Sequence, residues 1–246
     1  MKAPELVVGT REELTAAFAR LFERAAADAI AAHGRFACAV PGGSVATTFF
    51  PSLVDAAVDW PRVEVFWADE RAVPATDEAS NFRLAQQLWL AHVPIDRSKV
   101  HRIEGEARDL DRAALSYTVE LTATLGLSPQ LDLVLLGVGA DGHVASLFPG
   151  HPALTGGVGF VVAVRDAPKP PPERLTLTMT SLLAARAICI AGFEPEKADV
   201  LRAAMASPDA GSTAPVARLI AIHPDVRVIL SVAAGLPTGR LQARPV

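Results

Sequence analysis

The chain has 246 residues, half of them hydrophobic and a fifth charged, and its 23 Lys and Arg against 27 Asp and Glu leave a formal net charge of −4. Such a length buries a sizeable core, while the acidic balance argues against a nucleic-acid surface, which needs clustered cations to neutralise phosphates. No apolar run reaches the roughly eighteen residues that a membrane-crossing helix requires, and MKAPELVVGT lacks the apolar segment and cleavage site of a signal peptide, so a soluble cytoplasmic protein is expected.

Residues 6–8 predict a short first strand. Thr10-x-x-Glu13 is a capping box opening a helix, whose Leu14, Phe18, Leu21, Phe22, Ala25, Ala29 and Ile30 share one face until Gly34 stops it. Residues 35–40 (RFACAV) predict the next strand, followed by Pro41-Gly42-Gly43-Ser44 and a helix over 45–57. In this unit Gly42 and Gly43 let the backbone approach an anion, and Ser44 either caps the helix or donates its hydroxyl to a bound oxygen. A plain strand-to-helix turn is the competing reading. A third strand, 62–68, runs straight into Asp69-Glu70-Arg71, and Ser80-Asn81 starts a helix carrying Phe82, Ala85, Leu88 and Trp89 on one face. The planar fork of Arg71 suits a phosphate or an oxyanion, and Asp69 suits sugar hydroxyls or proton transfer. A solvated charged rim is the alternative.

Residues 109–125 predict an amphipathic helix with Leu110, Ala114, Tyr117 and Leu121 inward. It leads to residues 131–136 (LDLVLL), a strand buried on both faces. That strand ends in Gly137, Gly139 and Gly142, with Asp141 and His143 among them, and ligands of open parallel sheets bind beyond such carboxyl ends. Residues 137–142 also match GxGxxG, but Pro149, Gly150 and Pro152 leave room for two turns at most of the helix that a dinucleotide site requires, so that reading is rejected. Residues 160–164 predict a strand. The stiff Lys169-Pro170-Pro171-Pro172 elbow then delivers Arg174 and an alternating 175–179 segment. A buried strand over 186–191 turns through 192–197 into a helix carrying Ala198, Leu201 and Ala204 inward. Lys197 in its first turn opposes the helix dipole unless it faces an anion, a solvated lysine being the alternative. Residues 207–215 read as a loop, 226–232 as a last strand and 235–246 as a loosely held tail. Cys38 and Cys189 lie in strand-like apolar runs and read as core filler. Strand and helix alternate without repeats or linkers, so residues 1–246 are expected to form one α/β domain, a doubly wound, mostly parallel sheet with helices on both faces.

Four motifs occur in order: PGGS at 41–44, DERAVP at 69–74 followed by Ser80-Asn81, GVGADGHVASLFPGH at 137–151, and KPPPERLTLT at 169–178. Together they resemble the 6-phosphogluconolactonase family, from the first strand to about Ala204. The fold group of that family also holds glucosamine-6-phosphate deaminase and ribose-5-phosphate isomerase. The resemblance implies a Rossmann-like fold and hydrolysis of 6-phosphoglucono-δ-lactone to 6-phosphogluconate, without metal or organic cofactor. It also implies His143 as general base, with phosphate and sugar contacts from Gly42, Gly43, Ser44, Arg71, Arg174 and Lys197. Asp69 and Asn81 complete the expected substrate contacts. In the last strand the family usually carries a tryptophan and an aspartate where this chain has Ile229 and Ser231.

Lactone hydrolysis needs an activated water, a place for the oxyanion and a proton for the leaving ring oxygen. An imidazole performs the first and last tasks in turn. His143 is therefore expected to deprotonate water, Asp141 to orient or charge-stabilise its ring, and glycine amides of the turn or Arg71 to hold the oxyanion. A structural histidine bonded to a backbone carbonyl is the competing reading. His143, His151 and Asp141 form no zinc spacing, and His33, His92, His101 and His223 are scattered, so no metal is expected. The expected partner is a small phosphorylated sugar lactone, and the expected state a monomer or small homo-oligomer. The alternatives are an amino-sugar-phosphate deaminase/isomerase, although no carboxylate follows His143 closely, and a non-catalytic sugar-phosphate-binding domain.

Overall fold

A computed structural model describes residues 4–155 and 159–231. Its elements in chain order are β1 (Glu5–Gly9), α1 (Arg11–His33), β2 (Phe36–Val40), α2 (Gly43–Phe49), β3 (Val63–Trp67), β4 (Asp69–Arg71), α3 (Asn81–Leu88) and β5 (Val100–His101). Then follow α4 (Leu110–Leu125), β6 (Leu133–Gly137), β7 (Val161–Val164), β8 (Arg174–Leu177), α5 (Met179–Leu183), β9 (Ala187–Gly192), α6 (Pro195–Ala206), α7 (Pro215–Ile222) and β10 (Val226–Ser231).

Seven strands form one sheet in the order β1-β10-β9-β6-β2-β3-β5, every pair parallel. Every residue of β2 and β3 is buried, which requires cover on both faces because successive side chains alternate. Phe36 meets Phe22 of α1 edge-on at 5.1 Å. Phe66, in register with Ala39 on the opposite face, meets Tyr117 of α4 at 6.2 Å. Helices therefore cover both sides, as the alternating pattern predicts. The capping box forms: the Thr10 hydroxyl accepts from the Glu13 amide and the Glu13 carboxylate from the Thr10 amide, while Gly34 ends α1 in the left-handed region. Cys38 and Cys189 are buried on β2 and β9 with β6 between them, and burial pushes the Cys189 thiol up to about 12. Among the described residues, no helix is long and apolar enough to cross a membrane.

The winding direction reverses between β2 and β6. From β2 the chain adds β3 and β5 on one side; from β6 it adds β9 and β10 on the other. The carboxyl ends of β2 and β6 thus flank a topological switch point, where an open α/β sheet leaves a crevice.

Several elements differ from expectation. The helix foreseen over 45–57 ends at Phe49 and tightens into a 3₁₀ turn at Phe50–Leu53, which contains Pro51. Residues 69–71, expected as a charged loop, form β4 and pair antiparallel with β8, which pairs with β7 in a separate three-stranded sheet. The segment foreseen over 175–179 stops at Leu177, because Thr178 caps α5. β5, α5 and α7 were not foreseen. Val232 and the tail over 235–246 lie outside the described residues.

Candidate active site

β6 ends in a turn held by its own backbone: the Gly142 amide donates to the Gly139 carbonyl and the Gly139 amide to the His143 carbonyl, both at 2.9 Å. Gly142 has φ +83°, a region that L side chains rarely adopt. No helix follows over 143–149, so the GxGxxG segment lacks the amide terminus a pyrophosphate needs. The turn folds Asp141 back on His143, bringing Asp141 Oδ1 to 2.6 Å from His143 Nδ1. A carboxylate only accepts hydrogen bonds, so Nδ1 carries the proton and Nε2 keeps a lone pair. Among the described residues nothing bonds Nε2, and the ring is not spent on a backbone carbonyl. Burial holds the imidazole below its ordinary range, against the opposing pull of Asp141; nearby Lys169 lowers it further. Burial raises the Asp141 carboxyl, but the His143 hydrogen bond and charge outweigh this, and it stays below its usual value.

His143 lines a cleft of about 270 Å³ at the switch point. The β2 side of that cleft is Pro41-Gly42-Gly43-Ser44. A Cβ at Gly42 would collide with the Asn81 side-chain oxygen, so only glycine fits there. Ser44 lies in the first turn of α2, which has no side-chain cap; the capping role foreseen for it is not taken. Its hydroxyl accepts instead from Lys197 Nζ at 3.0 Å. Lys197, in the first turn of α6, also pairs with Glu194 at 2.8 Å and lines the cleft.

The third wall comes from β4. Buried Glu70 accepts from the amides of Arg71, Asn81 and Phe82 and from the Ser80 hydroxyl, so its carboxylate fixes the start of α3 beneath the cleft. Burial nonetheless raises its pKa. Asp69 receives the Ser146 hydroxyl at 2.6 Å and the Asn81 amide at 3.3 Å. Arg71 donates through Nη1 to the Ala79 carbonyl at 2.6 Å, and its Nε is buried without a partner. The fourth wall is the elbow over 169–171. Arg174, only 5 % exposed, donates to the carbonyls of Lys169, Pro170 and Pro171 and, at 3.4 Å, to Ser146 Oγ. Most of its donors therefore shape the elbow that brings Lys169 to the cleft.

Of the residues singled out from sequence, Gly42, Gly43, Ser44, Asp69, Arg71, His143, Arg174 and Lys197 line this one cleft. Asp141 and Asn81 stand behind it, one on the imidazole and the other beneath Gly42 and Asp69. Lys169, Ser146, Glu70 and Phe148 were not singled out. All four lie inside or beside the quoted motifs, which is the signal that finds them, although spacing alone does not tell which side chains turn inward. Among the described residues, no three His, Cys, Asp or Glu side chains gather as metal ligands would. The cleft thus combines a neutral imidazole, braced by a carboxylate, with guanidinium and ammonium groups, an arrangement suited to proton transfer on an anionic substrate.

The family described as glucosamine-6-phosphate isomerases/6-phosphogluconolactonase matches residues 9–228. The 6-phosphogluconolactonase of Mycobacterium tuberculosis is 37 % identical over 205 residues, covering 80 % of this chain and 83 % of its own. That of Streptomyces coelicolor is 37 % identical over 217 residues, covering 82 % and 83 %. Among solved structures, the 6-phosphogluconolactonase from Trypanosoma cruzi superposes with a TM-score of 0.82 at 25 % identity, over 94 % of this chain and 95 % of that one.

Proposed function

The chain belongs to the glucosamine-6-phosphate isomerase/6-phosphogluconolactonase family, and we propose that it hydrolyses 6-phosphoglucono-δ-lactone to 6-phosphogluconate with His143 as general base. The carrying observation is the 2.6 Å Asp141–His143 pair, which leaves Nε2 free at a cleft lined with cations. In this reading Nε2 takes a proton from water as its oxygen attacks C1. The tetrahedral oxyanion is held by a donor of the cleft other than the Gly139 and Gly142 amides, which are bonded within the turn. The C1–O5 bond then breaks, and Nε2–H returns the proton to O5. Depression of the His143 pKa keeps the free base populated at neutral pH. Asp141 stabilises the imidazolium that forms transiently.

In this reading the phosphate is held by Ser44, Lys197 and Arg71, with Lys169 and Arg174 also lining the cleft. Each charge-assisted contact contributes about 1.5–3 kcal/mol. No step calls for a metal or an organic cofactor, and the reading includes a cytoplasmic setting and a monomer or small homo-oligomer. An amino-sugar deaminase would want a further acid after His143, where Ala145, Ser146, Leu147 and Phe148 supply no carboxylate, so glucosamine 6-phosphate should release no ammonia. The decisive assay generates the lactone in situ and measures its loss against spontaneous opening. The intact protein should exceed that background, and His143→Ala should fall by about two or more orders of magnitude while keeping its fold. Wild-type turnover in this variant refutes the mechanism.

A further inference from the structure

A single hydrogen bond at Nδ1 does not orient an imidazole. The ring can still swing about the Asp141–His143 axis and carry Nε2 away from a bound ester. In this cleft a second constraint exists. The Phe148 ring lies 4.6 Å from the His143 ring, centroid to centroid, with the planes at 41°. Phe148 is itself immobilised: it is 2 % exposed and packs with Val164 and Ala167 in a small apolar cluster apart from the main core. Val164 is in register with Arg174 on β8, and the Arg174 guanidinium carbon lies 5.7 Å from the Phe148 ring centre. One phenyl ring therefore touches both the His143 imidazole and the Arg174 guanidinium.

Resting on the general-base reading above, we propose that Phe148 is the positioning residue for His143: its ring fixes the imidazole plane so that Nε2 addresses the cleft, and keeps water off part of that ring. A carboxylate brace and an aromatic brace are different constraints. Asp141 sets tautomer and charge, whereas Phe148 sets ring orientation and dryness. The charged groups that act on the imidazole are Asp141 on its own turn, Lys169 from the elbow and Asp69 from β4, and Arg71, Arg174 and Lys197 line the same cleft. All of them stay when Phe148 alone is changed. Burial disfavours the imidazolium, so removing the phenyl ring should let the His143 pKa climb toward its ordinary value.

The test compares wild type, Phe148→Leu and Phe148→Ala by two readouts: the pH profile of kcat/KM for the lactone, and an NMR titration of the His143 imidazole without substrate. Phe148→Ala should lower kcat tenfold or more, leave KM within about twofold, and move both the acidic limb and the NMR titration to higher pH. Phe148→Leu, which keeps an apolar side chain, should titrate between the other two and carries the test if the alanine variant does not fold. An unmoved His143 titration in a folded variant overturns the proposal. So does a loss in which kcat and KM change together while the limb stays, since that is what a merely structural residue would give. The NMR titration needs no turnover, so it decides the role of Phe148 even if His143→Ala shows that the base lies elsewhere.

Discussion

Arg71 and Arg174 sit directly opposite each other across the antiparallel β4–β8 ladder. Like charges in such positions destabilise a sheet, and the cleft that both line is where a dianion would relieve the repulsion. Their other contacts differ: Arg174 is buried and spends its donors on the elbow, whereas Arg71 is half-buried, with its Nε unpartnered. The two arginines should therefore fail differently. Arg71→Ala should keep its melting temperature within a few degrees, raise KM by about tenfold or more, and lose stabilisation by inorganic phosphate, which at ten times Kd is worth about 1.4 kcal/mol. Arg174→Met strands elbow carbonyls at about 1–3 kcal/mol each and should lower the melting temperature with or without phosphate. Equal behaviour of the two variants in thermal melts would contradict this division.

Asp141→Asn tests the brace on the base. Asp141 opposes the depression of the His143 pKa, burial being the larger and opposite effect. Removing the carboxylate charge should therefore move the acidic limb of kcat/KM to lower pH, the reverse of the shift expected for Phe148→Ala. If His143 is the general base proposed above, the imidazolium formed during turnover also loses its counter-charge, so kcat should fall by about ten- to a hundredfold. A limb displaced upward in the pH–rate profile would show that the carboxylate does not act on His143 as the geometry indicates.

How legible these features are in the sequence depends on how local their causes are. The α1 capping box needs only Thr10 and Glu13, and the β6 strand only its apolar run, so both can be read directly. The helix α7 escapes because Pro215, Val216, Ala217, Leu219, Ile220 and Ala221 are all buried, which erases the polar face that reveals a helix. Its N-cap, Ala214, also supplies no capping side chain. The β4–β8 pairing joins residues about a hundred positions apart, and no local pattern encodes it. In the site, residue types and glycine turns mark the cleft residues, but the support beneath them is invisible. Glu70 reads as a surface charge until the start of α3 is seen to converge on its carboxylate.

At the sheet edge, His101 on β5 lies between two carboxylates, with Nε2 2.8 Å from Glu64 and Nδ1 2.8 Å from Glu120 of α4. Burial lowers its pKa, but the two hydrogen bonds and charges outweigh this and hold it above the ordinary value. A histidine raised in the folded state contributes stability that is full below its unfolded pKa of about 6.5 and is lost as pH rises through the folded value. His101→Gln should therefore be more destabilising at pH 6 than at pH 9 in urea unfolding. An equal deficit at both values would mean that the contact acts by packing on Phe66, whose ring it stacks upon at 4.3 Å, and not by charge.

Gly139 offers the sharpest separation of catalysis from folding. A Cβ placed there would collide with the Nδ1 side of His143 and with Asp141 Oδ1, the two atoms of the dyad itself. The Gly139 backbone does not lie in the left-handed region, so the close approach of the dyad is the obstacle to alanine there. Gly139→Ala should push the carboxylate and the imidazole apart while leaving β6, whose last residue is Gly137, intact. Lactone hydrolysis should fall by about two orders of magnitude or more, as expected when a general base is misplaced, whereas phosphate should still raise the melting temperature, because Ser44, Lys197 and Arg71 are untouched. The His143 titration in NMR should lose its coupling to Asp141. Full activity in this variant would mean that the turn yields without cost and that the dyad geometry does not limit the rate.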